Sequence, residues 1–173
     1  PAEPPDESTP AGETPAETPK ASEPAASESE PVAEFDPAVK SEGVMTYAEY
    51  AAAAIDDEVV IEAYVQGKQS WWDNKITVYL QDENGGYFAY EMACTEADAD
   101  KLVPGTKIRI TGYKAEWDGE IEIVDGTFEF CNDGTTYVAD PLDVTALLGT
   151  DDLIKHQNML VEFKGMNISS ISY

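Results

Sequence analysis

Between Glu58 and Cys131 the apolar positions recur mostly at every second residue, in runs short enough for strands rather than helices. Val59-Val60-Ile61-Glu62-Ala63-Tyr64-Val65 opens the series, with Ile61, Ala63 and Val65 on one face. A polar and aromatic loop follows, Gln66 to Lys75, carrying Trp71 and Trp72. Ile76-Thr77-Val78-Tyr79-Leu80-Gln81 then alternates cleanly, with Ile76, Val78 and Leu80 inward and Thr77, Tyr79 and Gln81 outward. Asp82-Glu83-Asn84-Gly85-Gly86 predicts a tight turn built from positive-φ residues, and Tyr87-Phe88-Ala89-Tyr90-Glu91-Met92 returns as a third strand.

After Cys94 the period changes. Thr95 precedes Asp98 by three residues and acids fill the first turn, which predicts a short helix running to Val103 and ended by Pro104-Gly105. Thr106 to Gly112 is a fourth strand with Ile108 and Ile110 inward. Asp118-Gly119 marks a two-residue hairpin turn, and Glu120 to Phe130 is a fifth strand with a bulge at Asp125-Gly126.

Three strands, a helix and two more strands is the order of an oligonucleotide/oligosaccharide-binding (OB) barrel. The runs Gln69-Ser70-Trp71-Trp72, Tyr79-Leu80-Gln81-Asp82, Gly86-Tyr87-Phe88-Ala89-Tyr90 and Leu102 to Tyr113 resemble OB modules of secreted bacterial proteins, particularly lipoproteins, and related modules that accompany extracellular nucleases. The resemblance covers less than half of the chain and implies the fold; it brings no catalytic motif. The expected fold class is therefore all-β with short helices, a five-stranded OB barrel over residues 58–138.

Residues 43–57 read as a lead-in, with Thr46 and Glu49 forming a capping box for a short helix whose Tyr47, Tyr50 and Ala51 pack on the barrel. Beyond the barrel, residues 139–173 repeat that order: a helix-like Leu142 to Leu148, a polar turn, then a strand from Leu160 to Ile168. Asn158-Met159-Leu160-Val161-Glu162-Phe163 looks like the opening strand of a second OB unit, or else an extra edge on the first.

Residues 1–42 are mostly Pro, Ala, Glu, Ser and Thr, a composition that buries too little apolar surface to offset ordering entropy. The expectation is an extended, disordered acidic tether. It resembles the spacer behind the lipidated cysteine of bacterial lipoproteins, and equally an ordinary linker. Either fits an extracytoplasmic protein better than a cytosolic enzyme, with the membrane reached only through a lipid anchor outside this chain.

Charge narrows the partners. This tail holds eleven acids and two lysines, a net of −9; the remaining residues hold 24 acids and eight bases, a net of −16. A folded part so acidic repels polyphosphate, which disfavours nucleic acid. Five cations fall within the barrel stretch, Lys68, Lys75, Lys107, Arg109 and Lys114, and make a local basic patch only if one face gathers them.

In an OB barrel the third and fifth strands run parallel and adjacent, which places Cys94 and Cys131 at one end and predicts a disulfide. No cofactor and no metal site is expected, because ligand spacings are missing and His156 is the single histidine. His156 sits in a polar stretch with no nucleophile motif beside it, so catalysis is not expected.

Binding is better supported. The three tryptophans fall at the two loops that frame the usual OB groove: Trp71 and Trp72 after the first strand, Trp117 before the last. With Tyr79 and Tyr87 outward between them, and Asp73, Asp118 and Glu120 alongside, they would make aromatic platforms flanked by carboxylates. That chemistry suits sugar rings or a protein surface, with single-stranded nucleic acid second for want of positive charge. A structural or adhesion role without a small ligand is the remaining expectation.

Overall fold

The computed structural model describes residues 36–167. Most of the expected tether lies outside the described residues. The folded part begins before the expected boundary at residue 42: Lys40 and Ser41 already pack on the barrel, Ser41 Oγ donating to Glu62 (2.9 Å).

Five strands close into a barrel in the order β1-β2-β3-β5-β4: β1 (Glu58–Lys68), β2 (Lys75–Gln81), β3 (Gly86–Ala93), β4 (Lys107–Trp117) and β5 (Glu120–Phe130). Together with the helix between β3 and β4, this is the OB arrangement that the strand pattern predicts. Val59, Ile61, Ala63, Val65, Ile76, Val78, Leu80, Ile108, Ile110 and Ile123 fill the interior. The expected helix after Cys94 is shorter than its pattern suggested. α2 spans only Glu96–Ala99, capped by Thr95, and Leu102 plugs the barrel from the turn that follows.

The lead-in helix α1 (Tyr47–Ala52) carries the predicted capping box at its N-terminus. Its C-terminus has neither glycine nor a basic residue of its own. Lys114 of β4 reaches under it and donates to the carbonyls of Tyr50 (3.0 Å), Ala51 (2.9 Å) and Ala53 (2.7 Å). A buried ammonium thus takes the orphan acceptors of a helix end, where the dipole favours a cation.

The β2–β3 turn departs from its predicted reason for glycine. Neither Gly85 nor Gly86 adopts a positive φ. What each needs is the missing side chain. A Cβ on Gly85 would lie 2.2 Å from the Tyr47 ring, and one on Gly86 would lie 2.2 Å from the Asn158 carbonyl oxygen. The turn is held instead by the buried Asp82 carboxylate, which accepts from the amides of Asn84 (2.7 Å) and Gly85 (3.1 Å), the Tyr87 hydroxyl (3.0 Å) and the Lys40 ammonium (2.5 Å).

Beyond β5, Leu142–Asp143 is not the start of a helix. It forms β6, which pairs in parallel with β7 (Val161–Glu162), with 3-10 turns at Thr145–Leu147 and Asp151–His156 between them. The Asp143 carboxylate takes the amide and hydroxyl of Thr145 (3.1 and 2.6 Å), a local bonding pattern that competes with a helix.

Candidate functional site

The five cations that would make a basic patch if one face gathered them are each bonded within the fold. Lys68 donates to the Ala99 carbonyl at the end of α2. Lys75 pairs with Glu91 (2.7 Å), Lys107 with Asp133 (2.8 Å) and Arg109 with the buried Glu62 (2.7 Å). Lys114 is the helix cap described above. Lys107 and Arg109 share one face of β4 and both reach Glu62, Lys107 at 3.5 Å, while Lys68 stands on β1, Lys75 on β2 and Lys114 under α1.

The predicted aromatic site also divides. Gln66 to Lys75 is less a loop than an extension of the β1–β2 hairpin, closed by a two-residue turn at Asp73 (φ 50°) and Asn74 (φ 60°) inside a Trp72–Lys75 bridge. Trp72 stands at its tip, 80% exposed, while Trp71 turns inward and its Nε1 donates to the Cys94 carbonyl (2.9 Å). Trp117 is 76% exposed at the β4–β5 tip, beside Asp118 (φ 49°) and Gly119 (φ 92°). Register separates the two exposed rings. Lys75 pairs with Ala93 at the end of β3, whereas the Ala89–Ile123 pairing sets the start of β5 level with the start of β3. Seven residues at about 3.3 Å each put roughly 23 Å along the strands between the two tips.

Tyr87 does not face outward. It pairs with the inward Leu80, cross-strand partners share a face, and it is 0% exposed in the core. The outward row on β2 and β3 is Tyr79, Phe88 and Tyr90, with ring centroids 4.9 and 6.2 Å apart. This usual OB face is partly covered by the chain itself. Residues 157–160 cross it as a strap: Gln157 Oε1 accepts from Ile121 N (2.7 Å), Asn158 Nδ2 donates to Ile121 O (3.0 Å), and Gln81 Oε1 accepts from Leu160 N (2.7 Å). The two amide side chains supply Ile121 with partners at a level where β3 does not pair with β5. Gln81, Gln157 and Asn158 gave no signal in the sequence, since polar residues near turns are common.

What stays open is the seam between β3 and β5. These strands share a single paired position, Ala89–Ile123. Beyond it each strand bulges against its other neighbour, β3 at Glu91 (φ 47°) and β5 at Asp125 (φ 51°), and the two make no further ladder pair. Two adjoining cavities border this seam, with Asn74 and Ala93 on their common wall. One, about 590 Å³, is bordered by Asp73, Lys75, Tyr90, Glu91, Asp125 and Thr127. The other, about 440 Å³, is bordered by Cys94, Thr95, Asp98, Phe128 and Phe130, the two phenylalanine rings meeting edge to face at 5.5 Å. Of the predicted site residues, Asp73 borders this groove and Trp72 stands next to it in the chain; Tyr79, Tyr87, Trp117 and Asp118 do not border it.

The groove offers aromatic faces and oxygen acceptors rather than reactive groups. Lys75 holds the Glu91 carboxyl below its usual range, and the hydrogen bond to Glu91 raises the Tyr90 phenol. Burial pushes the Cys94 thiol up, away from a nucleophilic thiolate. His156 borders a different cavity. Among the described residues no group of three or more His, Cys, Asp or Glu side chains is placed to hold a metal ion.

The predicted disulfide is absent; both cysteines are free. Counted from the Ala89–Ile123 pair, Cys94 lies five residues on and Cys131 eight. Three residues of stagger correspond to about 10 Å, beyond the span of a disulfide. Phe130 lines the cavity with Cys94, so the next residue, Cys131, turns to the other face, where burial, and after it the charge of Glu62, raises its thiol.

No family model matches the chain, and no curated protein matches it. Solved structures are similar over part of the chain. The Stn1-Ten1 complex of S. pombe is 17% identical, covering 44% of this chain and 59% of that one, with a TM-score of 0.37. The p204 HINb domain is 13% identical, covering 51% and 47%, with a TM-score of 0.41. Aspartyl tRNA synthetase from Entamoeba histolytica is 14% identical over 56% of this chain and 22% of that one, with a TM-score of 0.42. Strand order, closure and the helix between β3 and β4 make the fold an OB-type barrel.

Proposed function

We propose that this chain is a non-catalytic binding module that takes an uncharged oligosaccharide along the β3–β5 seam, beside the β1–β2 hairpin. The observation that carries this reading is the groove itself: Tyr90, Phe128 and Phe130 offer ring faces, and Asp73, Asn74, Asp98 and Asp125 offer hydrogen-bond acceptors between them. Sugar C–H faces stack on such rings while hydroxyls donate to carboxylates. The two lysines at the groove are already paired, Lys75 with Glu91 (2.7 Å) and Lys101, over the Phe130 ring, with Asp98 (2.8 Å), so a polyanion finds no unpaired cation there. The acidic, Pro-rich composition ahead of residue 36 supports an extracytoplasmic setting.

Titration calorimetry against neutral oligosaccharide pools and a single-stranded oligonucleotide at low salt tests the reading. Saccharide binding that weakens about tenfold in Tyr90→Ala, the worth of one stacked ring at about 1.4 kcal/mol, is expected. Oligonucleotide binding that falls steeply with salt, or saccharide affinity indifferent to both Tyr90→Ala and Phe128→Ala, would overturn it.

A further inference from the structure

The segment after the barrel is built like the segment before it. In the lead-in, Met45, just ahead of Thr46 and α1, donates its amide to Val60 of the strand that follows (2.8 Å). After the barrel, Val144, just ahead of Thr145 and its 3-10 turn, likewise donates to the following strand, at Glu162 (3.1 Å), while the bond to Leu160, which matches Val60, comes from Leu142 (3.0 Å). A pair of aspartates precedes the strand in both cases, Asp56-Asp57 and Asp151-Asp152, and the strands read Val60-Ile61-Glu62 and Leu160-Val161-Glu162. The two copies differ in what surrounds the strand. β1 is paired along both edges, by β2 and β4. β7 is paired along one, by β6.

Parallel pairing uses the Leu160 carbonyl and the polar backbone groups of Glu162, so those of Val161 and Phe163 point to the other edge. Among the described residues no hydrogen bond to that edge is found. Beside it lies an apolar groove of about 620 Å³, walled by Leu153, Ile154, Met159, Val161 and Phe163. Ile154 and Phe163 are exposed there, as is Met166 further along. An open strand edge next to an uncovered apolar face is the template for strand addition.

Charge indicates what is added. Around β7 four acids, Asp143, Asp151, Asp152 and Glu162, stand against two lysines, Lys155 bonded to Asp152 (2.6 Å) and Lys164 to Glu162 (2.8 Å) and Asp143 (3.1 Å), which leaves Asp151 unpaired among them and the cluster net negative. We propose that the free edge of β7 and its apolar groove dock an extended β-strand of a partner protein, apolar at alternate positions and carrying a basic residue at one end. The ladder of Val161 and Phe163 supplies affinity, the groove selects the apolar side chains, and the acidic rim selects the basic end. This surface is independent of the seam groove.

The probe is a peptide with the sequence of β2, Lys-Ile-Thr-Val-Tyr-Leu-Gln, the strand that pairs with β1 inside the barrel and has this pattern. It is titrated into the full chain, with amide hydrogen exchange read at each residue. Binding that protects the amides of Val161 and Phe163, and that weakens at least tenfold in Val161→Pro and in Ile154→Glu while circular dichroism keeps the barrel signal, is expected. Absence of binding, or binding that leaves those amides unprotected or survives both variants, would overturn the proposal. So would self-association of the chain that Val161→Pro abolishes, since the edge would then belong to a second copy.

Discussion

Replacing Gly86 with alanine separates two physical effects of opposite sign. Gly86 lies within β3 and has no positive φ, so alanine is conformationally acceptable. On backbone grounds alone the change stabilises by about 0.4–1 kcal/mol, through the unfolded chain. The added methyl, however, would sit 2.2 Å from the Asn158 carbonyl oxygen and 2.6 Å from Met159 N, which are main-chain atoms with no rotamer to change. The strap has to lift, and three hydrogen bonds go with it: Gln157 to Ile121 N, Asn158 to Ile121 O and Leu160 N to Gln81. At about 1 kcal/mol each their loss outweighs the backbone gain, for a net destabilisation of about 2 kcal/mol. Urea denaturation reads the total, and hydrogen exchange locates it: Leu160 N–H should lose protection while Ile108 and Ile110 keep theirs. Gly86→Ala with unchanged or raised stability and a protected Leu160 amide would refute the claim that this glycine exists to seat the strap.

Three further outcomes follow from the same geometry. Lys114→Met keeps the buried stem but strands the Ala51 and Ala53 carbonyls and leaves that of Tyr50 only the Ala53 amide (3.3 Å), so a loss of about 2 kcal/mol in urea denaturation is expected. Partial burial pushes Asp133 up, but its bonds to Lys107 and Thr135 outweigh this and hold it at about 2, below the ordinary carboxylate value near 4, so its contribution is present above about pH 4 and fades as pH falls towards 2. Because its side chain is 41% exposed, solvent screening limits that contribution to about 1 kcal/mol; Asp133→Asn should flatten the acid limb of the stability curve by this amount. Both cysteines should titrate as thiols in unreduced, denatured protein, and the folded protein should release Cys131 to a thiol reagent faster than the buried Cys94.

The barrel was legible because alternation is a local property: Ile76, Val78 and Leu80, or Ile108 and Ile110, declare their face without knowledge of their neighbours. The misplaced Tyr87 shows where this stops. Its face depends on pairing with Leu80 across a turn, and a shift of one residue reverses every side chain on the strand. The groove was hidden for a related reason. It lies where β3 and β5, far apart in sequence, stop pairing next to bulges at Glu91 and Asp125, and only the second carried a turn signal. The disulfide failed on stagger, a quantity set by three dimensions, although both strand ends were placed correctly. The strap's anchors, Gln81, Gln157 and Asn158, belong to the same class of long-range polar contacts that leave no periodic trace.

Acrylamide quenching in paired tryptophan variants tests the seam groove most directly. Trp117→Phe leaves the emitters at the β1–β2 hairpin, and the Trp71→Phe/Trp72→Phe double variant leaves Trp117 at the far hairpin. A bound oligosaccharide should shield the first protein from quenching, through Trp72 next to the groove residue Asp73, and leave the second as quenchable as before. Shielding of Trp117, or equal shielding at both ends, would contradict the assignment of the ligand to the β3–β5 seam.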